Sequence, residues 1–344
     1  MKQYTVAVLG ATGAVGQEMM KILAERNFPV GKLIPLASAR SAGKTVTFKG
    51  EEVTIQEARD DAFEGVDIVL GAAENDIAKR FAPAIVKAGA VFVDNSSAFR
   101  LDENVPLVVP EINPQDAAQH HGIISNPNCS TIITVTAVNA LNAISPIRTM
   151  TASTYQAVSG AGKEGIDELD AQVREHSEGR EMTANILPSA SAEKHYPIAF
   201  NLIPQIDVFC DNLYTKEEMK MVNETKKIME DYEMRITATT IRVPVYRSHS
   251  ESVNIELEKE VDLGAMREAL AKFPGVTVQD DPSKQEYPMP LYTSEKDDVY
   301  VGRLRRDESC EKSYNIWVVG DQIRKGAALN TLQIAETMIK NGWI

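Results

Sequence analysis

An apolar run, a glycine-rich turn and an amphipathic stretch follow one another directly at the start of the chain, and no other feature restricts the fold as much. "YTVAVL" (Tyr4–Leu9) is apolar and β-rich, and the next segment, "GATGAVGQEMMKILAERN", sets Val15, Met19, Ile22 and Leu23 on one helical face. A buried parallel strand, a tight turn and a helix open a βαβ unit. Small residues let a backbone approach a pyrophosphate, and a helix N-terminus offers N–H groups and the positive end of a dipole. Gly10, Ala11, Thr12, Gly13, Ala14, Val15 and Gly16 are therefore the candidate dinucleotide cradle. Their spacing is GxxGxxG instead of GxGxxG, so glycines that merely permit tight turning are the alternative.

More strands are expected at Lys32–Ala37, Asp67–Ala72, Ala90–Asp94 and Ile123–Ser125, with a helix over Ile77–Ala88. Strands alternating with helices predict a parallel, doubly wound, Rossmann-like sheet over residues 1–127. An acid about 20 residues past the glycine loop is the usual mark of an NAD site, where it holds the ribose 2′-OH. Here the second strand ends in "PLASARSAGK", which has no acid but carries Ser38, Arg40, Ser41 and Lys44. Hydroxyls and a cation suit a 2′-phosphate, so NADP(H) is the expected cofactor, with Arg40 as an ordinary solvated residue the alternative.

Past Ser145 the pattern changes. "IRTMTASTYQAVSGAG" reads as a strand closed by a glycine turn, and "ITATTIRVPVYRSHSESVNIEL" as two long neighbouring strands with antiparallel alternation. "DVYVGRLRRD" and "YNIWVVGDQ" add two more, and helices are expected at Gly165–His176, Lys216–Glu230, Asp262–Lys272 and in the C-terminal "GAALNTLQIAETMIKN". This predicts an α+β second domain built on an antiparallel sheet. The net charge of −13 argues against a sequence-independent nucleic-acid binder, which needs a basic surface. No signal segment and no run of about 18 apolar residues is visible, so no membrane span is expected. Cys129, Cys210 and Cys310 are odd in number and far apart, and no CxxC or His-rich spacing points to a metal. A reduced, cytoplasmic protein is the expectation.

Cys129 stands out among the three. In "SNPNCSTI" Asn126 or Asn128 can cap the helix that follows, Pro127 suits its first turn, and "IITVTAVNAL" continues it. The helix dipole there favours thiolate, and backbone donors can hold an oxyanion. A buried, inert cysteine is the competing reading, which the polar neighbours disfavour. A thiolate beside a nicotinamide suggests addition to an aldehyde, hydride transfer to NADP⁺ and release of the acyl group by phosphate or water.

Over nearly its whole length the chain resembles the aspartate-semialdehyde dehydrogenases, in their shorter bacterial form. "GATGAVG", "SSAFR", "SNPNCSTI", "STYQAVSGAG", "PIAFNLIPQID", "EEMK", "RVPVYRSH" and "RKGAALNTLQIAE" carry the likeness by their order and spacing. The resemblance implies reversible, NADPH-dependent reduction of L-aspartyl 4-phosphate to L-aspartate 4-semialdehyde and phosphate, a step toward lysine (through diaminopimelate), methionine and threonine. It implies Cys129 as nucleophile, Gln156 orienting the substrate, and His249 as acid/base, titrating near neutral pH. Arg242, seven residues before His249 on the same expected strand, would grip the α-carboxylate. Glu217 and Lys220 would read the α-amino group and assist the phosphate site, Arg100 would bind phosphate, and Asn330 would lie near the nicotinamide. Asn128, Ser159 and Gly160 fall to the substrate site. A homodimer is implied, as is a C-terminal helix packed back on the nucleotide domain. That gives an NADP-binding domain of residues 1–127 plus about 326–344, and a catalytic and dimerisation domain of residues 128–325. From the residues alone, Glu217 and Lys220 also fit a surface ion pair. Two other functions remain open: N-acetyl-γ-glutamyl-phosphate reductase, which shares the glycine loop and the Asn-Pro cysteine, and a non-catalytic dinucleotide-binding paralogue.

Overall fold

A computed structural model describes residues 2–344, and its backbone divides into two compact units. One runs to Asn128 and includes Gly326–Ile344; the other is Cys129–Lys325. In the first, β1 (Tyr4–Leu9), α1 (Ala14–Glu25), β2 (Val30–Ala37), β3 (Thr45–Phe48), β4 (Glu51–Thr54), β5 (Gln56–Glu57), β6 (Ile68–Gly71), α2 (Asn75–Lys87), β7 (Val91–Asp94) and β8 (Ile123–Ser125) follow in order. Six strands form a wholly parallel sheet in the order β5-β2-β1-β6-β7-β8. Alternation along β1 sorts the core onto two faces. Tyr4, Val6 and Val8 pack with Met19 and Ile22 of α1 and with Leu332 and Met338 of the C-terminal helix (Leu329–Asn341). Ala7 and Leu9 pack with Phe81 and Ile85 of α2. The doubly wound sheet is therefore as expected. The β3–β4 hairpin was not foreseen; its turn is Lys49-Gly50, both at positive φ (50° and 86°), as a two-residue hairpin turn requires.

The second unit holds α3 (Cys129–Asn142), β9 (Ile147–Gln156), α4 (Gly162–Ser177), α5 (Lys216–Ile228), β10 (Arg235–Arg242), β11 (His249–Leu257), α6 (Leu263–Lys272), β12 (Val276–Val278), β13 (Val299–Arg306) and β14 (Ser313–Gly320). Its sheet order is β10-β9-β11-β14-β13-β12. The expectation that the strands of "ITATTIRVPVYRSHSESVNIEL" are sheet neighbours is wrong. β9 lies between them, parallel to β10 and antiparallel to β11, so the sheet is mixed. Arg242 and His249 are correspondingly on two strands and not one. Pro244, which lacks an N–H to continue a ladder, and Ser248, at φ 71°, break the chain between them. α3 is buried on nearly all sides, and its Ile133, Ala137, Val138 and Leu141 pack on Met150, Ala152, Val253 and Ile255 of the sheet.

The face of the sheet that meets α3 changes character along its length. Met150 and Ala152 on β9, Ala238 on β10 and Val253, Ile255 and Leu257 on β11 make it apolar at one end. At the other end the same rows continue as Thr154 and Gln156, Thr240 and Arg242, and Glu251 and His249, all buried. Because β9 and β10 are parallel and β11 runs against them, the last residues of the first two and the first of the third share this polar end.

Candidate active site

Helix α3 begins at Cys129, which makes Asn128 the residue just before its first turn. Pro127 is therefore outside the helix, contrary to expectation, and Asn126 is not its cap. The Asn126 backbone N–H still donates to Asp94 O (2.7 Å), continuing the sheet past β8, and its amide donates to Asn95 Oδ1 (2.7 Å). Cys129 is partly exposed and its Sγ lies 3.5 Å from His249 Nε2. The Ala157 N–H donates to His249 Nδ1 at 3.1 Å. A ring nitrogen that accepts carries no proton, so the proton of the neutral imidazole sits on Nε2, facing sulfur.

That imidazole is fully buried, and burial, with the Arg242 charge second, pushes its pKa down to about 3 against an opposing pull from Glu217. Titration of His249 near neutrality, expected from an ordinary histidine, does not hold in this environment. His249 is a neutral Nε2–H donor across the physiological range.

Arg242, the last residue of β10, is paired in register with Gln156, the last of β9. Its Nη1 donates to Ala157 O (2.8 Å), and its buried Nε has no hydrogen-bond partner. Burial lowers its pKa, opposed by Glu217 and Cys129, and a guanidinium remains charged. The backbone of one residue, Ala157, thus orients both side chains, the imidazole through its N–H and the guanidinium through its C=O. Sequence reading missed Ala157, since a backbone contact leaves no mark on residue type. Gly160 covers the pair: a Cβ there would stand 2.6 Å from Arg242 Nη1 and 3.4 Å from His249 Cε1. Ser159 Oγ accepts from Gln322 Nε2 (2.5 Å), and Gln322 Oε1 accepts from the Ser248 N–H (2.9 Å). Gln322, also missed, ties the glycine turn to the start of β11; it stands two residues past the end of β14, where only its tertiary contacts distinguish it.

Glu217 and Lys220 come from the first turns of α5. Thr215 caps this helix through a box with Glu218, whose second oxygen accepts from the Thr240 N–H on β10 (3.0 Å). So anchored, the helix aims Glu217 inward, where Oε1 accepts from Gln156 Nε2 (3.2 Å) and Oε2 from Lys220 Nζ (3.1 Å). The surface-pair alternative fails, because Glu217 is only 4% exposed. Burial opposes the Lys220 charge, but Glu217 and Asp207 (3.0 Å) outweigh it and raise its pKa.

The structure therefore brings Cys129, Gln156, Ser159, Gly160, Glu217, Lys220, Arg242 and His249 together in one unit. Asn128, Arg100, Asn330, the glycine loop and the Arg40 segment belong to the other. There, Arg100 is buried and its Nη2 donates to Asn95 O (2.8 Å), while Asn330 Nδ2 donates to Val108 O (3.0 Å) and Asn126 Oδ1 (2.7 Å). Gly10 (φ 91°) and Gly16 make the loop compact. A Cβ on Gly10 would meet Ala72 O at 2.6 Å, and one on Gly16 would meet Gly10 O at 2.3 Å. Gly13 stands at the start of α1, where no side chain caps the helix and no acid occupies the first turn. That donor set fits a pyrophosphate, and the loop follows β1 where the strand order reverses. Ser38 and Arg40 are exposed just beyond β2, with Ser41 half-buried beside them. Among the described residues no group of three or more His, Cys, Asp or Glu could hold a metal, and no helix is long and apolar enough to cross a membrane.

Two family models match the chain: the semialdehyde dehydrogenase NAD-binding domain over residues 5–120, and the semialdehyde dehydrogenase dimerisation domain over 138–325. The aspartate-semialdehyde dehydrogenase of Bacillus subtilis is 51% identical over 97% of both chains, and that of Aquifex aeolicus 48% over 99% of both. The crystal structure of aspartate semialdehyde dehydrogenase II from Vibrio cholerae, complexed with ASA, superposes with a TM-score of 0.94 at 42% identity, covering 99% of each chain. With a doubly wound nucleotide fold, a cysteine–histidine pair at the polar end of a mixed sheet, and relatives matched end to end, the chain belongs to the aspartate-semialdehyde dehydrogenase family.

Proposed function

We propose that this protein catalyses the reversible, NADPH-dependent conversion of L-aspartyl 4-phosphate to L-aspartate 4-semialdehyde and phosphate, in the route to lysine, methionine and threonine. The observation that carries the reading is the contact between Cys129 Sγ and a neutral His249 Nε2, flanked by Arg242, Gln156 and Glu217. In the reducing direction the Cys129 thiolate attacks the acyl carbon, the C–O bond to phosphate breaks, and a thioester forms. The hydride that reduces the thioester carbonyl would come from NADPH when it is bound. The resulting thiohemiacetal collapses by breaking the C–S bond, which frees the aldehyde and restores the thiolate. His249 stabilises sulfur, and the negative oxygen that forms at the acyl carbon, by donating a hydrogen bond through its Nε2–H. Arg242 holds the α-carboxylate, with its Nε and remaining N–H donors available for a planar grip. Glu217 takes the α-ammonium, Gln156 orients the acyl group, and Arg100 and Lys220 hold phosphate. Asn128, Ser159 and Gly160 line the substrate site.

For the cofactor, residues 10–16 would hold the pyrophosphate, Ser38, Arg40 and Ser41 the 2′-phosphate, and Asn330 would stand near the nicotinamide. A homodimer is supported by the matched dimerisation domain. A cytoplasmic location is supported by three cysteines that are all free. The N-acetyl-γ-glutamyl-phosphate reductase alternative is not favoured, since relatives 45–51% identical carry the aspartate-semialdehyde dehydrogenase name. The deciding experiment follows NADP⁺ reduction with L-aspartate semialdehyde and phosphate. Activity should depend on phosphate and vanish in Cys129→Ala while NADPH binding persists. Phosphate-dependent turnover in Cys129→Ala would refute the covalent route.

A further inference from the structure

Among the ionisable residues at the polar end of the sheet, Arg242, His249 and Glu251, this mechanism leaves Glu251 without a role. It sits two positions after His249 on β11, hence on the same face, and it is completely buried. Farther along that row come Val253, Ile255 and Leu257, so a carboxyl borders an apolar series. One of its oxygens, Oε2, accepts from the Thr134 hydroxyl on α3; the other, Oε1, is buried without a hydrogen-bond partner. An apolar side chain of similar size would avoid that cost, so stability alone does not explain a glutamate here. A second feature acts at the same place. Gly320 is paired with His249 in register, and a Cβ on it would fall 2.9 Å from Ile133 Cγ1, the neighbour of Thr134 on α3. Helix α3 is thus drawn against the sheet by Glu251 and allowed close by Gly320, at the end where Cys129 meets His249.

We propose that Glu251 is a positioning residue: through Thr134 it ties helix α3 to strand β11 and so sets the distance between Cys129 and His249. Burial raises its pKa well above the ordinary range, with the Glu217 charge adding to the effect and Thr134 opposing it. Burial thus favours the uncharged form of Glu251. The charged and titratable groups facing the Cys129–His249 pair are then Arg242 from β10 and Glu217 from α5, with Lys220 behind Glu217.

The inference rests on Cys129 being the nucleophile, so it is tested by a signal that does not require turnover: the pH dependence of Cys129 alkylation by iodoacetamide, read on its peptide by mass spectrometry. Thr134→Val keeps the volume and removes the contact; Glu251→Leu removes it while filling the site with an apolar group. Both should move the alkylation midpoint up by about half a pH unit or more, as sulfur loses its Nε2–H donor. Both should lower kcat by about tenfold or more with the semialdehyde KM within about twofold, since an ångström of misplacement has costs of that size. Thr134→Ser should bring both readouts back to near the native values. Should Thr134→Val not fold, Glu251→Leu decides alone. Folded variants with the native alkylation midpoint and native kcat overturn the proposal, as does a loss that Thr134→Ser fails to restore. If instead Cys129→Ala remained active, the catalytic reading would fail whatever these variants did.

Discussion

Acidification from about pH 7.5 to about pH 5 should leave His249 uncharged and should weaken the fold through that same residue. Charging the imidazole costs on three counts: the ring is fully buried, the Arg242 cation is close, and a proton on Nδ1 would confront the Ala157 N–H. Its folded-state pKa is about 3, against 6.5 for an exposed histidine. The sign follows from proton binding. Below about 6.5 the unfolded chain takes up a proton that the folded chain refuses, so stability is lost as pH falls toward 3 and is fully present above 6.5. At about 1.4 kcal/mol per unit, the contribution lost by pH 5 is on the order of 2 kcal/mol, and the whole shift is on the order of 4–5 kcal/mol. The assay is denaturant unfolding at a series of pH values, native against His249→Asn, so that other acid-titrating groups cancel in the difference. The native protein should lose about 2 kcal/mol more than the variant between pH 7.5 and pH 5. In parallel, the ¹³Cε1 resonance of labelled His249 should stay flat over that range. A stability difference independent of pH, or a titration of this resonance between pH 6 and 7, would falsify the account of His249 as a neutral donor.

Arg40→Ala should raise KM for NADP(H) by about 10- to 150-fold and leave NAD(H) nearly unaffected, the loss of one charge-assisted contact worth about 1.5–3 kcal/mol; equal effects on both cofactors would show that Arg40 does not read the 2′-phosphate. With semialdehyde and phosphate varied independently, Arg100→Ala should raise KM mainly for phosphate and Arg242→Ala mainly for the semialdehyde, and a reversed pattern refutes the division. Arg242→Lys should stay impaired, since an ammonium cannot make a planar two-point grip. Gly160→Ala should lower kcat/KM for the semialdehyde by about tenfold or more, because its Cβ would stand 2.6 Å from the Arg242 guanidinium; unchanged kinetics would mean that the turn relaxes without disturbing Arg242.

The local grammar of this chain was open to reading along a single line. "YTVAVLGATGAVG" could hardly be anything but a strand and a helix joined by a close turn, because Gly10 and Gly16 stand where any Cβ would strike backbone. Alternation and helical period placed most strands and helices within a few residues, since those periods arise from neighbours along the chain. The order of strands in the second sheet was not accessible in that way. Insertion of β9 between β10 and β11 depends on contacts between residues 86 to 110 positions apart, and nothing in "ITATTIRVPVYRSHSESVNIEL" signals a missing neighbour. That insertion is what brings Gln156, Arg242 and His249 to one end of the sheet. Residue type made Cys129 and His249 candidates; the ionisation of His249 followed from burial, Arg242 and the Ala157 peptide, all supplied by the fold. Glu217 read equally well as a surface ion pair until helix α5, fastened by Glu218 to β10, turned it inward. Glu251 and Gln322 drew no notice in the sequence because their chemistry is ordinary. What singles them out is a partner, or the lack of one, in a place that only tertiary packing creates.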